Sequence, residues 1–338
     1  MRLLPPAGAA ALVAALALSP AAQAATPKPR TGKTVVASRH SGTVKVKPRG
    51  AGTFVKLGKA RSLPVGSTID ATNGKVNLTA TANAKGTKTQ SGLFYGGAFI
   101  VTQKSSSMTD LQLVGGSFAG CDQELQRSGG VFAARARPRR HLWGDAHGHF
   151  RTRGRNGSAT VRGTKWLTED RCAGTAEATD RGMVNAASDD GLAYDVGPGE
   201  AVSFHCEPNG LAGISSLYCL ALLEDTPDDI YAYGIASSDT PDTSYDICVT
   251  YPDGVERCDT NLPFDTSDPQ FVSAGYGCSY DQAGAFIVRW RIRGQYLPVP
   301  LTFNAPRASK FPGCVSSPPR PGIDDTSPAL ARAAAGRL

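Results

Sequence analysis

The sequence predicts an all-β protein, with two antiparallel β-sandwich or β-roll domains between disordered termini. Three observations carry this expectation. The 338 residues include 38 glycines and 23 prolines, above an average combined share of roughly 12%, so turns are frequent and long helices disfavoured. Apolar residues recur with period two in short runs, the spacing of half-buried strands. Hydrophobic residues make up 41% and charged residues 19%, which supplies packed cores and excludes wholesale disorder. At about 150 residues per domain, the length fits two domains plus tails.

In chain order, residues 1–25 read as a signal peptide. Arg2 supplies the positive start, Ala9 to Leu18 the apolar run, and Ala22-Gln23-Ala24 the small-residue cleavage site. The apolar run falls short of the roughly 20 residues that span a bilayer, so no integral membrane span is expected. Residues 26–39 and 316–338 are rich in Pro, Ala and charge without periodic apolar positions, and read as a disordered linker and tail.

Strand runs follow at Thr43-Val44-Lys45-Val46-Lys47 and at Lys75 to Ala80. Leu93-Phe94-Tyr95 and Ala98-Phe99-Ile100-Val101 bracket Gly96-Gly97, a two-residue hairpin signal. Between Ser158 and Leu167 the apolar phase slips, with Ala159 and Val161 on one face and Trp166 on the other. A bulge at Arg162-Gly163 would return Trp166 inward; the alternative is a strand buried on both faces.

These strands carry a family resemblance. Gly42-Thr43-Val44-Lys45-Val46, then Leu63 to Ile69 with Ala71 to Leu78, then Ala159 to Trp166, occur in the order of the FecR-like family, named for the extracytoplasmic part of an iron-dicitrate signalling protein. Gly182-Met183-Val184 and Val196-Gly197-Pro198-Gly199-Glu200 resemble its closing strands. The resemblance covers residues 40–204, interrupted by an Arg-rich insertion. It implies an all-β, non-catalytic extracytoplasmic module for sensing, ligand contact or wall association. The signalling members begin with a cytoplasmic segment and a spanning helix, which a signal peptide replaces here, so a role in sigma-factor control is not implied.

Residues 205–315 form the second expected domain, rich in cysteine. Seven runs, Leu217 to Leu223, Asp229 to Ile235, Tyr245 to Tyr251, Val255 to Cys258, Phe271 to Ser273, Ala285 to Ile292 and Val299 to Phe303, suggest an immunoglobulin-like sandwich in which Trp290 covers a disulfide.

Eight cysteines without a C-x-x-C motif read as disulfides of an exported chain, secreted or associated with the cell envelope, although eight allow 105 connectivities. Cys248 and Cys258 stand symmetrically about the Pro252-Asp253-Gly254 turn, which places them opposite each other on a hairpin. Cys121 and Cys172 are paired because both fall in the first half.

Charge divides the chain. Residues 1–181 hold 27 Lys and Arg against 9 Asp and Glu, whereas the remainder holds 9 against 20. Between Arg127 and Lys165 ten basic residues face one acid, Asp145. Arg151, Arg153, Arg155 and Arg162 are the expected contacts to an anionic wall polymer or other surface partner; behind a signal peptide the candidate polyanions are wall polymers, lipid head groups or extracellular DNA, with nucleic acid not the expected physiological partner. A solvated basic loop is the bland alternative.

For chemistry, His141, Asp145, His147 and His149 are the best metal-ligand candidates. Gly144 and Gly148 and the surrounding arginines argue against a cation there. No G-x-S-x-G elbow or EF-hand pattern is present, and Asp189-Asp190, Asp228-Asp229 and Asp324-Asp325 read as turn or solvated pairs. The expectation is a non-catalytic binding protein without cofactor or metal. The alternative is a secreted hydrolase using a metal or a carboxylate pair.

Overall fold

The computed structural model describes residues 27–104, 107–121, 138–161, 163–189, 192–208, 217–225, 230–237, 244–265, 272–297, 300–305, 307–310 and 312–316. The expected signal peptide, nearly all of the expected C-terminal tail, residues 127–137 of the Arg-rich stretch and Arg162 lie outside these residues. Every extended element among the described residues is a strand.

The first strand, β1 (Thr34–Lys47), begins inside the stretch read as a disordered linker. Val35, Val36 and Ala37 are all buried, because this end of β1 lies between β3 (Arg61–Pro64) and β4 (Ser67–Thr81). A run buried on both faces has no alternation for the sequence to display.

β1 and β4 are 14 and 15 residues long and bend together where Gly42 faces Gly74. A Cβ on Gly42, whose φ is +63°, would meet the Asn73 carbonyl oxygen at 2.4 Å; one on Gly74 would meet the carbonyl oxygens of Ser41 and Thr43 at 2.7 Å. Register shifts on both sides of Gly42 mark the bend. Long strands that bend in this way carry one sheet into a second layer.

The last part of β4 pairs with β5 (Thr89–Tyr95), which continues through β8 (Arg140–His147), β11 (Thr164–Arg171), β12 (Gly174–Arg181) and β15 (Ala201–Pro208). The first part pairs with β6 (Ala98–Gln103), which continues through β7 (Thr109–Val114), β9 (Phe150–Arg153), β10 (Gly157–Val161), β13 (Val184–Ser188) and β14 (Ala193–Val196). On the far side, Thr179 of β12 donates its hydroxyl to the Val196 carbonyl at 3.0 Å. The result is a nearly closed, barrel-like sheet around one core, rather than the free-standing sandwich expected.

Two turn expectations are corrected by this layering. Gly96-Gly97 does not join a hairpin: β5 and β6 pair with different parts of β4, and the glycines carry the chain from one layer to the other. A Cβ on Gly97 would lie 1.7 Å from the His141 carbonyl oxygen. The phase slip before Trp166 is also a crossing rather than a bulge within one strand, since β10 ends at Val161 and β11 opens at Thr164 in the other layer. Trp166 is fully buried in the same core as Ala159, and a Cβ on Gly144 would touch its ring at 2.4 Å.

The division expected at residues 204 and 205 falls inside β15. This strand pairs with β12 on one side and β16 (Leu217–Asp225) on the other, and the sheet runs on through β17 (Ile230–Ser237), β20 (Val272–Ser279) and β24 (Gly313–Ser316). A separate five-stranded sheet comprises β18 (Ser244–Thr250), β19 (Glu256–Pro263), β21 (Gly284–Ile292), β22 (Gln295–Tyr296) and β23 (Leu301–Ala305). Ile235 and Cys278 of the long sheet share a second core with Ile247, Phe286 and Trp290 of the short one.

Four disulfides join Cys121–Cys172, Cys206–Cys219, Cys248–Cys258 and Cys278–Cys314. The last three link residues directly opposed on neighbouring antiparallel strands. Four disulfides in one chain mark an oxidising environment. Trp290 faces the inner core in register with Ile247, whereas Cys248 is in register with Arg289 on the alternate face, beside Tyr296. The expected cover of Trp290 over a disulfide is therefore not made at Cys248–Cys258.

Candidate anion-binding surface

Of the four arginines expected to meet an anionic partner, Arg151, Arg153 and Arg155 are engaged by the protein's own side chains, and Arg162 lies outside the described residues. Parallel pairing of β7 with β9 sets Asp110 opposite Arg151. One oxygen of Asp110 accepts from Arg151 Nε at 2.5 Å and from Arg153 Nε at 3.2 Å. The Arg155 guanidinium lies 4.3 Å from the Phe118 ring centroid, which also receives Arg140 at 5.2 Å. Arg140 Nε in turn donates to Asp170 Oδ2 at 2.7 Å. Two carboxylates, Asp110 and Asp170, thus meet Arg140, Arg151 and Arg153, while Arg155 keeps its charge over the Phe118 ring.

The candidate metal ligands do not converge. His141, Asp145 and His147 alternate along the outer side of β8, while His149 sits in the following turn. Asp145 is bound by Arg181 at 3.0 Å. Among the described residues, the grouping suited to a metal is Cys248, Glu256 and Cys258, whose two sulfurs form a disulfide.

Inside the barrel, a polar chain had no signature in the sequence. Trp166 Nε1 donates to Thr152 Oγ1 at 2.8 Å; the Thr152 and Thr168 hydroxyls are 2.5 Å apart; and Thr168 Oγ1 donates to Glu177 Oε2 at 2.5 Å. Register creates the last contact, because Thr168 and Glu177 are cross-strand partners. Burial pushes the Glu177 carboxyl well above its ordinary range; the Thr168 hydrogen bond opposes this shift, and Asp170 and Glu169 add to it. All four side chains are fully buried.

Uncompensated charge lies elsewhere. Residues 27–104 contain fourteen Lys and Arg and one acid, Asp70. None of the fourteen joins an ion pair in the described structure. Val44 and Val46 point into the core, so alternation turns Lys45 and Lys47 outward. β2 (Val55–Lys56) then pairs with this end of β1, setting Lys45 directly against Lys56. Lys47 Nζ stands 5.5 Å from the Phe54 ring centroid. Arg49, Lys56, Lys59 and Arg61 extend the exposed basic surface. Like charges directly opposed across strands cost roughly 0.2–1 kcal/mol, so this arrangement does not serve stability.

The charge count of this surface is legible in the sequence, although the run near residue 151 is denser. What the count lacked was the partner list: Asp110, Asp170 and Phe118 meet the arginines only through folding.

Compared with protein-family models, with curated proteins and with solved structures, the chain matches none.

Proposed function

We propose that this protein is a non-catalytic binding module, FecR-like over residues 40–204, that acts outside the cytoplasm and docks on an anionic component of the cell envelope. The docking surface is the outer side of β1 to β4, with Lys45, Lys47 and Lys56 at its centre. The observation that carries the reading is the fourteen-to-one excess of basic over acidic residues across 27–104, none of them in an ion pair. Clustered cations without ion-pair partners gain free energy by displacing counterions from a polyanion. Arg151 and Arg153 share Asp110 and Arg155 lies over Phe118, so these arginines are engaged with the protein's own side chains in a way the lysines are not.

The FecR-like part of the reading rests on the sequence pieces Gly42 to Val46, Leu63 to Ile69 with Ala71 to Leu78, and Ala159 to Trp166. The four disulfides support an extracytoplasmic site of action.

A pull-down of the purified protein on envelope fractions at low and high salt tests the reading. Salt-sensitive binding that is lost in the Lys45→Gln/Lys47→Gln/Lys56→Gln variant and kept in Arg155→Ser is the expected result. Binding that ignores both salt and the lysine variant would dismiss it.

A further inference from the structure

The tip between β1 and β2 combines two properties that a surface reading only water-soluble phosphate would not need together. Every residue from Arg49 to Lys56 is exposed, so the tip stands clear of the barrel. At its end, Phe54 is 43% and Val55 41% exposed, the one pair of chain neighbours among the exposed large apolar residues described. Lys47 Nζ stands against the Phe54 ring, Lys45 faces Lys56 beside Val55, and Arg49, Lys59 and Arg61 flank the pair in the chain. Asp70 is the one nearby acid, in register with Lys45, and its Oδ1 is occupied by the Thr72 amide.

We propose that this tip docks the protein peripherally on an anionic lipid bilayer, with Phe54 and Val55 entering the headgroup boundary and the surrounding cations meeting lipid phosphates. The inference rests on the anionic docking surface above and names its partner. Charge complementarity selects an anionic surface. The apolar pair selects lipid over a soluble wall polyanion, because a hydrated phosphate chain gives an exposed phenyl ring nothing to bury against, whereas the acyl boundary does.

The test uses the purified full chain with three probes: phosphatidylcholine vesicles containing phosphatidylglycerol, pure phosphatidylcholine vesicles, and soluble long-chain polyphosphate. Wild type is expected to bind the phosphatidylglycerol vesicles and to leave the neutral ones. The Lys45→Gln/Lys47→Gln/Lys56→Gln variant is expected to lose about a hundredfold in affinity for them, at roughly fivefold per cation. Phe54→Ser/Val55→Ser is expected to lose about tenfold on vesicles and nothing on polyphosphate. Both positions are exposed, so the double variant retains its fold. If that variant binds vesicles as wild type does, or if wild type binds polyphosphate but no vesicle, lipid docking is overturned while the anionic surface stands. Binding to none of the probes removes both.

Discussion

Lys45 and Lys56 stand directly opposite each other on the antiparallel pair β1 and β2, both exposed and neither in an ion pair. A protein selected for stability alone would place opposite charges there. Lys56→Glu is therefore expected to stabilise the fold by about 0.5–1 kcal/mol while weakening attachment to anionic surfaces. Thermal melts beside a salt-dependent binding curve measure both effects, and a variant that gained stability without losing binding would separate this pair from the docking surface.

Asp170 is the buried acid that organises one end of the barrel. Its Oδ1 accepts from the Arg155 amide at 2.8 Å and from the Thr175 hydroxyl at 2.6 Å, and its Oδ2 receives Arg140 at 2.7 Å. Asp170→Ala strands a guanidinium and a backbone donor, with an expected cost of about 3–5 kcal/mol. Denaturant unfolding gives the number; a loss below about 1 kcal/mol would mean that water replaces the carboxylate.

Glu177 sets a pH dependence of stability. Its folded pKa is raised by burial, so the folded chain holds a proton that the unfolded chain releases near the ordinary Glu value. The stabilising contribution is full below that ordinary value and is lost as pH rises through the raised one. Glu177→Gln is expected to flatten this decline. Urea midpoints measured from acid to neutral pH for the two proteins check it, and parallel curves would assign the decline to another group.

The disulfides are ranked by the chain they close. Cys121–Cys172 closes 51 residues and Cys248–Cys258 closes 10. By loop entropy, replacing the first pair with serines costs about 4 kcal/mol and replacing the second about 3. Denaturant titrations of the two double variants measure the order, and the reverse order would show that packing around Cys248 outweighs loop closure.

Trp166 packs over a glycine. Because a methyl group at position 144 would sit 2.4 Å from its ring, Gly144→Ala is expected to destabilise by about 1–3 kcal/mol. Near-ultraviolet circular dichroism would register the displaced indole, and an unchanged spectrum at unchanged stability would show that the wall yields.

What the sequence determined by itself is local. Period-two alternation at Thr43 to Lys47, the seven runs between Leu217 and Phe303, and the Pro252-Asp253-Gly254 turn that sets Cys248 against Cys258 are each decided by residues close in the chain. The all-β class follows from the same short-range signals. Tertiary structure alone decided the rest. Gly42 and Gly74 bend two long strands at one crossing, and Gly96-Gly97 and Gly163 change layers where a turn or bulge was expected, because the same glycine conformations serve either purpose. Val35 to Ala37 are buried on both faces and so hide their strand. Arg151 and Arg153 look available until the parallel pairing of β7 and β9 brings Asp110 beside them, across 41 and 43 residues of chain. Charge is written in the sequence, but its compensation depends on which strands become neighbours, and that is set by long-range packing.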